Sequence, residues 1–208
     1  MSSREEILAR LRKNTRETYD MPELSQLKPI TFSDPVAEFC QRTTTTAGAK
    51  LVEMHEGDDL NQVVQSIVKD LPSSGETGGG CIIASNIEGV EAQLNPDTVG
   101  DVRELMKVDV GVIRGCIGVA ENACVWVPQL MKEKAVCFAS QQLVILLRRA
   151  DIVNNMHEAY DRIAASKDYF QRYKFATFIS GPSKTADIES ALVYGAQAAR
   201  GVTIVLQQ

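Results

Sequence analysis

The sequence predicts an α/β fold with a parallel sheet, on three observations. Helix and strand patterns alternate between residues 33 and 84, and this order is typical of parallel strands joined by right-handed crossovers. Several later segments are short apolar runs, which indicate buried strands. The last of them, Val202–Leu206, is rich in β-branched residues. A chain of 208 residues is long enough to form one such domain with a substantial core.

The first thirty residues are predicted to lie outside the main core. Two overlapping capping-box patterns, Ser2–Glu5 and Ser3–Glu6, predict a charged helix with a narrow apolar face of Ile7, Leu8 and Leu11. The proline-containing segment 20–29 indicates an extended linker. We therefore expect an arm over residues 1–30 and one α/β domain over residues 31–208. The small apolar face of the arm needs cover, so we expect it to contact either a partner or a second copy of the chain, and the latter would give a homo-oligomer.

Local signals define the next elements. Pro35 suits the first turn of a helix that runs to about Ala47, and Lys50–Met54 is a short strand candidate. Asp58 or Asp59 caps a helix with apolar residues at helical spacing, namely Leu60, Val63, Val64, Ile67 and Val68. The segment Pro72–Gly80 reads as a glycine- and serine-rich loop.

The remaining segments are mostly strand candidates. We expect strands at Cys81–Ala84, at Val108–Ile113, within Gly115–Val127 as one or two strands with tight glycine turns, at Lys134–Ala139 and at Gln142–Leu147. A helix is predicted from Asp151 to about Lys167, with Ile152, Met156, Ala159 and Ile163 on one face. Lys174–Ile179 and Val202–Leu206 are expected to complete the sheet.

Composition argues against several classes of function. The 22 basic and 27 acidic residues give a net charge of −5, which argues against a nucleic-acid partner. Five scattered cysteines form no C-x-x-C pair, so neither an intrinsic iron–sulfur cluster nor a metal site is predicted. Cys81 and Cys137 lie in apolar runs and are expected to be buried. Neither a signal-like segment nor a long apolar run occurs, which predicts a cytoplasmic protein that does not insert into a membrane.

The first candidate site is the turn Gly181-Pro-Ser-Lys-Thr. It follows a strand pattern and precedes a predicted helix with Asp187 and Glu189 in its first turn and Ser183 or Thr185 as cap. Backbone N–H groups and the dipole of such a helix attract anions, and Lys184 adds a cation. A small carboxylate or phosphate is therefore a possible ligand, and a well-capped helix with no ligand is the alternative. The candidate ligand-binding residues here are Gly181, Ser183, Lys184, Thr185 and Asp187.

The second candidate site is Glu121-Asn122, an acidic pair between apolar stretches. Glu121 is the candidate catalytic residue, as nucleophile or base, and Asn122 is a candidate ligand-binding residue. The alternative is an ordinary hairpin turn, for which these two residue types are common. The glycine-rich segment 75–80 is not a phosphate loop, because it lacks the Gly-Lys-Ser/Thr ending and precedes a strand.

The run Gly181-Pro-Ser-Lys-Thr-Ala-Asp-Ile-Glu189 resembles the closing motif of the LUD domain in the lactate-utilisation protein C family. The opening Arg4–Leu11 is also similar to that family's first helix. The resemblance implies a three-layer α/β sandwich akin to sugar-phosphate isomerases and CoA transferases. It also implies a role in oxidising L-lactate to pyruvate beside partner subunits that carry the iron–sulfur clusters.

Two departures from the family pattern keep other functions open. The family's His-Gly-Pro is replaced by Gln197–Ala199, and its Glu-Thr-Gly-Thr by Glu121–Cys124. The Glu121-Asn122 pair is similar to the Glu-Asn-Gly motif of class I CoA transferases, whose glutamate forms a covalent thioester. The alternatives to a lactate-oxidation component are therefore an enzyme using Glu121 and a non-catalytic binding or scaffold module.

Overall fold

A computed structural model describes residues 3–15, 17, 19–20, 22–23, 26–71, 81–166, 174–188 and 191–208. Its main sheet has five strands, all parallel, in the order β1-β11-β6-β3-β2. These strands are Lys50–Met54 (β1), Ile83–Ala84 (β2), Val110–Arg114 (β3), Gln142–Arg148 (β6) and Gly201–Gln207 (β11). The first and last of them in the chain therefore lie side by side.

A second, mixed sheet has four strands in the order β7-β4-β5-β8. They are Ile117–Val119 (β4), Cys124–Pro128 (β5), Ile152–Val153 (β7) and Ala176–Ile179 (β8). A two-stranded antiparallel hairpin, Lys184–Ile188 (β9) and Ala191–Tyr194 (β10), precedes the last strand. The α-helices among the described residues are Ser3–Asn14 (α1), Pro35–Arg42 (α2), Leu60–Lys69 (α3), Val136–Ala139 (α4) and Met156–Ala165 (α5).

Side chains of the main sheet alternate between two apolar layers, as the pleat requires. In β6, Val144 and Leu146 face α3, whose Val64 and Ile67 are buried against them. Leu143, Ile145 and Leu147 face the opposite layer, which contains Phe39 of α2 and Val125 of the second sheet. A third cluster packs Trp126 and Val119 against Ala159 of α5. The mostly parallel central sheet flanked by helices confirms the predicted three-layer α/β sandwich.

Several predicted elements are confirmed at their boundaries. The side chain of Asp34 caps α2 by accepting from two backbone N–H groups, and Pro35 occupies the first turn. The α-helix gives way to a π-helical turn over Thr43–Ala47, which ends at Gly48 in the left-handed conformation. Asp59 caps α3. These boundaries rest on local chemistry, which explains why the sequence alone predicts them.

Three predicted elements are wrong because tertiary contacts override the local pattern, and one predicted burial is also wrong. Residues 136–139 form α4 and not a strand, since β3 and β11 already occupy both sides of β6. The predicted helix from Asp151 begins only at Met156, because Ile152–Val153 pairs with β4. Strand β8 joins the second sheet and not the main one. Cys81 is exposed, whereas Cys137 is buried as predicted. The predicted loop 72–80 lies outside the described residues.

The segment predicted as an arm contains the expected helix α1, none of whose residues is buried. Ile7 is 56% exposed and Leu11 is 59% exposed, whereas Leu8 is half-buried, so much of the apolar face of α1 is uncovered within the described chain. Among the described residues, no helix is long and apolar enough to cross a membrane.

Burial of three cysteine thiols is expected to make the protein less stable at alkaline pH. Burial raises the pKa of Cys116 to about 11 and those of Cys124 and Cys137 to about 12. Because the thiols of the unfolded chain ionise near pH 8.5–9, the full contribution is present below about pH 8.5 and is lost as pH rises towards 11–12. Urea unfolding at pH 7, 9 and 10.5 is expected to give a falling midpoint.

The Cys137→Ala variant separates this effect from the titration of other groups. Its midpoint should fall less steeply with pH than that of the parent, whereas substitution of the exposed Cys81 by alanine should change the slope less. Equal slopes in all three proteins would contradict the assignment.

Candidate functional site

The predicted Glu121-Asn122 pair lies in the tight turn that joins β4 to β5. The Asn122 side-chain oxygen accepts from the Cys124 N–H at 3.1 Å, and this bond closes the turn. Ala123 between them has a φ of 53°, the only positive φ at a non-glycine residue among the described residues. Such a conformation is unfavourable for a residue with a Cβ, so the surroundings hold the turn in place.

The Glu121 carboxylate is held at the start of α5. Its Oε2 accepts from the backbone N–H of Met156, the first residue of that helix, at 3.0 Å. The Glu121 backbone N–H also donates to Asn154 O at 2.9 Å. The helix end therefore stabilises this carboxylate by a hydrogen bond and by its dipole. No donor among the described residues contacts the second carboxylate oxygen, Oε1.

Arg42, the last residue of α2, connects this helix to the Glu121-Asn122 turn and to Phe32. Its Nη1 donates to the backbone oxygen of Glu121 at 2.9 Å, and its Nε pairs with Glu38 one helical turn earlier. The guanidinium lies 5.4 Å from the ring centroid of Phe32. The sequence analysis did not identify Arg42 as a site residue. Its position near the predicted end of this helix was the only signal that its side chain could reach another turn of the chain.

The Gly181–Lys184 turn packs against the end of the π-helical segment. Lys184 Nζ donates to the carbonyl oxygen of Ala47 at 2.6 Å, and this cation at a helix C-terminus is favourable. Gly181 has a φ of +67°, and a Cβ there would collide with the same carbonyl oxygen and lie 2.8 Å from the Ala47 carbonyl carbon. Only glycine therefore fits at position 181 without movement of the helix end.

Ser183 is hydrogen-bonded to residues 195–199, which include the segment that departs from the motif expected from the resemblance. Its N–H donates to Ala199 O at 2.9 Å, and its carbonyl oxygen accepts from the Gly195 N–H at 3.0 Å. Its hydroxyl oxygen accepts from the Gln197 N–H at 3.4 Å. These contacts hold residues 195–199 beside the turn, so Ser183 has a structural role.

The helix predicted after this turn is absent, and the hairpin β9–β10 stands in its place. Lys184 pairs with Tyr194 and Thr185 with Val193 across the hairpin. Gly195 with a φ of +78° ends β10, and such a residue does not fit within a right-handed helix. The helix-dipole argument for an anion at Gly181–Thr185 is therefore lost. A ligand role for Thr185 and for Asp187, whose side chain lies outside the described set, stays a prediction.

The two candidate sites adjoin each other. The Ser180 hydroxyl donates to the backbone oxygen of Asn122 at 3.0 Å, immediately before Gly181. Their charged groups, however, are turned to different partners: Glu121 contacts Met156 N, and Lys184 contacts Ala47 O. These contacts hold the two turns together and against the helical segment that ends at Ala47.

The thiol beside this site is poorly suited to nucleophilic chemistry. Cys124 Sγ lies 3.7 Å from the Met156 sulfur, and burial raises its pKa to about 12. It therefore stays a neutral thiol at ordinary pH. Among the described residues, no group of three or more His, Cys, Asp or Glu side chains is arranged to hold a metal ion.

Comparison with known proteins agrees with the fold. A family model described as the LUD domain matches residues 38–207. The structure is similar to the 1.70 Å crystal structure of a DUF162 family protein from Deinococcus radiodurans, with 12% identity and a TM-score of 0.62. The similarity covers 86% of this chain and 100% of that one. No curated protein matches the chain.

Replacing Gly181 by alanine is expected to destabilise the fold strongly. The change adds a methyl group against a backbone carbonyl at a left-handed position, so a loss of about 3 kcal/mol or more is expected in urea unfolding. Gly89→Ala is the matched control, because Gly89 has a φ of +82° and its Cβ would meet nothing within 4 Å. It should cost about 1–2 kcal/mol. Equal losses would show that the contact with Ala47 is not tight.

Removing the Glu121 carboxylate is expected to weaken the start of α5. Glu121→Ala should lower the free energy of unfolding by about 1–2 kcal/mol, because the Met156 N–H loses its acceptor. Glu121→Gln keeps an acceptor oxygen and should lose less than about 1 kcal/mol. Thermal and urea unfolding of both variants measure the difference, and equal stability of the alanine variant and the parent would contradict the capping role.

Proposed function

Because this chain belongs to the LUD domain family, we propose that it is a component of L-lactate utilisation. In this proposal it takes part in the cytoplasmic oxidation of L-lactate to pyruvate. That oxidation removes two electrons and two protons from lactate, and iron–sulfur clusters of partner subunits accept the electrons one at a time. The family match over residues 38–207, which includes the Gly181–Glu189 motif, is the observation that carries the proposal.

Two features of the chain support a role that depends on partners. The contacts of Lys184 and Gly181 with Ala47 hold the Gly181–Lys184 turn against the end of the π-helical segment. In the hairpin β9–β10, Leu192 is 57% exposed and Tyr194 is 46% exposed. The uncovered apolar face of α1 is a second candidate contact, to a partner or to another copy of the chain.

A deletion strain tests the proposal directly. Loss of the gene should abolish or slow growth on L-lactate and leave growth on glucose unchanged, and the parent chain should restore it. Affinity purification during growth on lactate should recover proteins with the visible absorption of iron–sulfur clusters. Normal growth of the deletion strain on lactate, together with no such partner, would reject the proposal.

A matched pair of lysine variants tests the closing motif within the same strain. If Lys184 binds a ligand or partner, Lys184→Met should impair growth on lactate while the purified variant stays folded. Lys107→Met, at an exposed lysine outside the site, should grow normally. Normal growth of both variants would show that Lys184 has only the structural role of its contact with Ala47.

A CoA-transferase-like enzyme is the second candidate, favoured by the Glu121 Oε1 atom that has no donor among the described residues. Glu121 would attack the carbonyl of an acyl-CoA, breaking the C–S bond and releasing the CoA thiolate as a mixed anhydride forms. Attack of that thiolate on the glutamyl carbonyl would then give a glutamyl-CoA thioester and free the carboxylate. Intact-mass measurement after incubation with acyl-CoA should detect the adduct in the parent and not in Glu121→Gln.

A scaffold without catalysis is the third candidate. The internal contacts of Glu121 and Lys184 and the departures at Glu121–Cys124 and Gln197–Ala199 favour it. It predicts no adduct with any thioester, together with a growth defect that Glu121→Gln rescues. An adduct lost in Glu121→Gln would exclude it.

A further inference from the structure

A cavity of about 210 Å³ lies at the carboxyl ends of two adjacent parallel strands, away from the turns described above. Strand β2 ends at Ala84 and β3 ends at Arg114. The residues that line the cavity are Asn86, Ile87, Glu88, Arg114, Leu130 and Met131. In open α/β sheets, ligands bind beyond the carboxyl ends of the strands, so the position favours a small-molecule site.

Arg114 supplies the cavity with a cation that has no ion-pair or hydrogen-bond partner among the described residues. Two arginines at the end of the neighbouring strand β6 differ in this respect. Arg148 pairs with Asp151 at 2.7 Å, and Arg149 pairs with Glu53 at 3.6 Å. An unpaired guanidinium presents two parallel N–H donors, which is the geometry that a carboxylate accepts.

Asn86 supplies the cavity with an acceptor. Both hydrogens of its amide are used, because Nδ2 donates to Asp97 Oδ2 at 3.1 Å and to Leu130 O at 3.0 Å. These two bonds fix which side of the amide is oxygen and which is nitrogen. No donor among the described residues contacts Asn86 Oδ1, so this oxygen is available to accept from a hydroxyl group.

The rest of the lining limits the size and charge of the ligand. Leu130 and the almost fully buried Met131 add apolar surface suited to a short alkyl group. Glu88, an exposed residue of the lining, adds a negative charge that disfavours a ligand with two negative charges more than a ligand with one. A monovalent anion therefore fits the site better than a phosphate.

We propose that this cavity binds a small hydroxycarboxylate. The carboxylate of the ligand contacts the Arg114 guanidinium, its hydroxyl donates to Asn86 Oδ1, and its alkyl group contacts Leu130 and Met131. The site involves neither Glu121 nor the Gly181–Thr185 turn. L-lactate is chosen as the probe because of the proposed function, but the site itself rests on the residues that line the cavity.

Titration of the purified protein with sodium L-lactate, at constant ionic strength, tests the proposal by chemical shifts of the backbone amides and the arginine Nε–H groups. Saturable shifts are expected at residues 86–88 and at Arg114. Acetate should bind more weakly than lactate, because it lacks the hydroxyl. Arg114→Gln should weaken lactate binding by about tenfold or more. Arg162→Gln is the matched control, since Arg162 is also exposed but does not line the cavity, and it should bind like the parent.

Three results would overturn the proposal: no saturable shift, equal lactate affinity in Arg114→Gln and the parent, or tighter binding of inorganic phosphate than of lactate. Should Arg114→Gln fail to fold, Arg114→Lys keeps the charge without the fork and should still weaken binding. Because binding is measured on the isolated chain, it can fail while the growth phenotype holds, and the reverse is equally possible.

Discussion

The carbonyl group of Ala47 is the point on which the arrangement of the described chain depends. It ends the π-helical turn after α2, accepts a hydrogen bond from Lys184, and leaves no space for a side chain at Gly181. Residues 47 and 184 are 137 positions apart in the chain, so this contact joins the first helix of the domain to the hairpin before its last strand. The two turns that carry the candidate residues are held by this helix, through Ala47 at one end and Arg42 one turn earlier.

The charged side chains of the candidate site bind backbone groups of the protein itself, which explains why few of them are available to a ligand. Glu121 stabilises the start of one helix and Lys184 stabilises the end of another, which places each beside the helix pole of opposite sign. The same two residue types that suggest a catalytic acid and an anion-binding cation thus also satisfy backbone groups. The carboxyl edge of the main sheet differs, because Arg114 and one atom of Asn86 there lack internal partners among the described residues.

Features that depend on neighbouring residues could be predicted from the sequence, whereas features that depend on long-range pairing could not. The start of α2 at Pro35, a cap at Asp58 or Asp59 and the strand Lys50–Met54 are predictable from the sequence, because neighbouring residues decide them. After a cap at Ser183 or Thr185 the sequence predicts a helix, because its apolar residues lie at helical spacing, whereas the structure has the strands β9 and β10 there. The true form of this segment depends on contacts with Ala47 and Ala199, which no local window contains. The Glu121-Asn122 turn was predicted as one alternative, but its neighbours Arg42 and Met156 were not.

The order of strands in the main sheet has a consequence for how the protein is made. Strand β11 lies between β1 and β6, and within the described part of the chain every residue of β1 pairs with β11 and with no other strand. During synthesis on the ribosome, β1 therefore stays unpaired until residues 201–207 have emerged. Meanwhile β2, β3 and β6 can pair with one another, because they are adjacent in that order. A nascent chain that stalls before residue 201 exposes the apolar edges of both β1 and β6, and is at that stage a natural client for a chaperone.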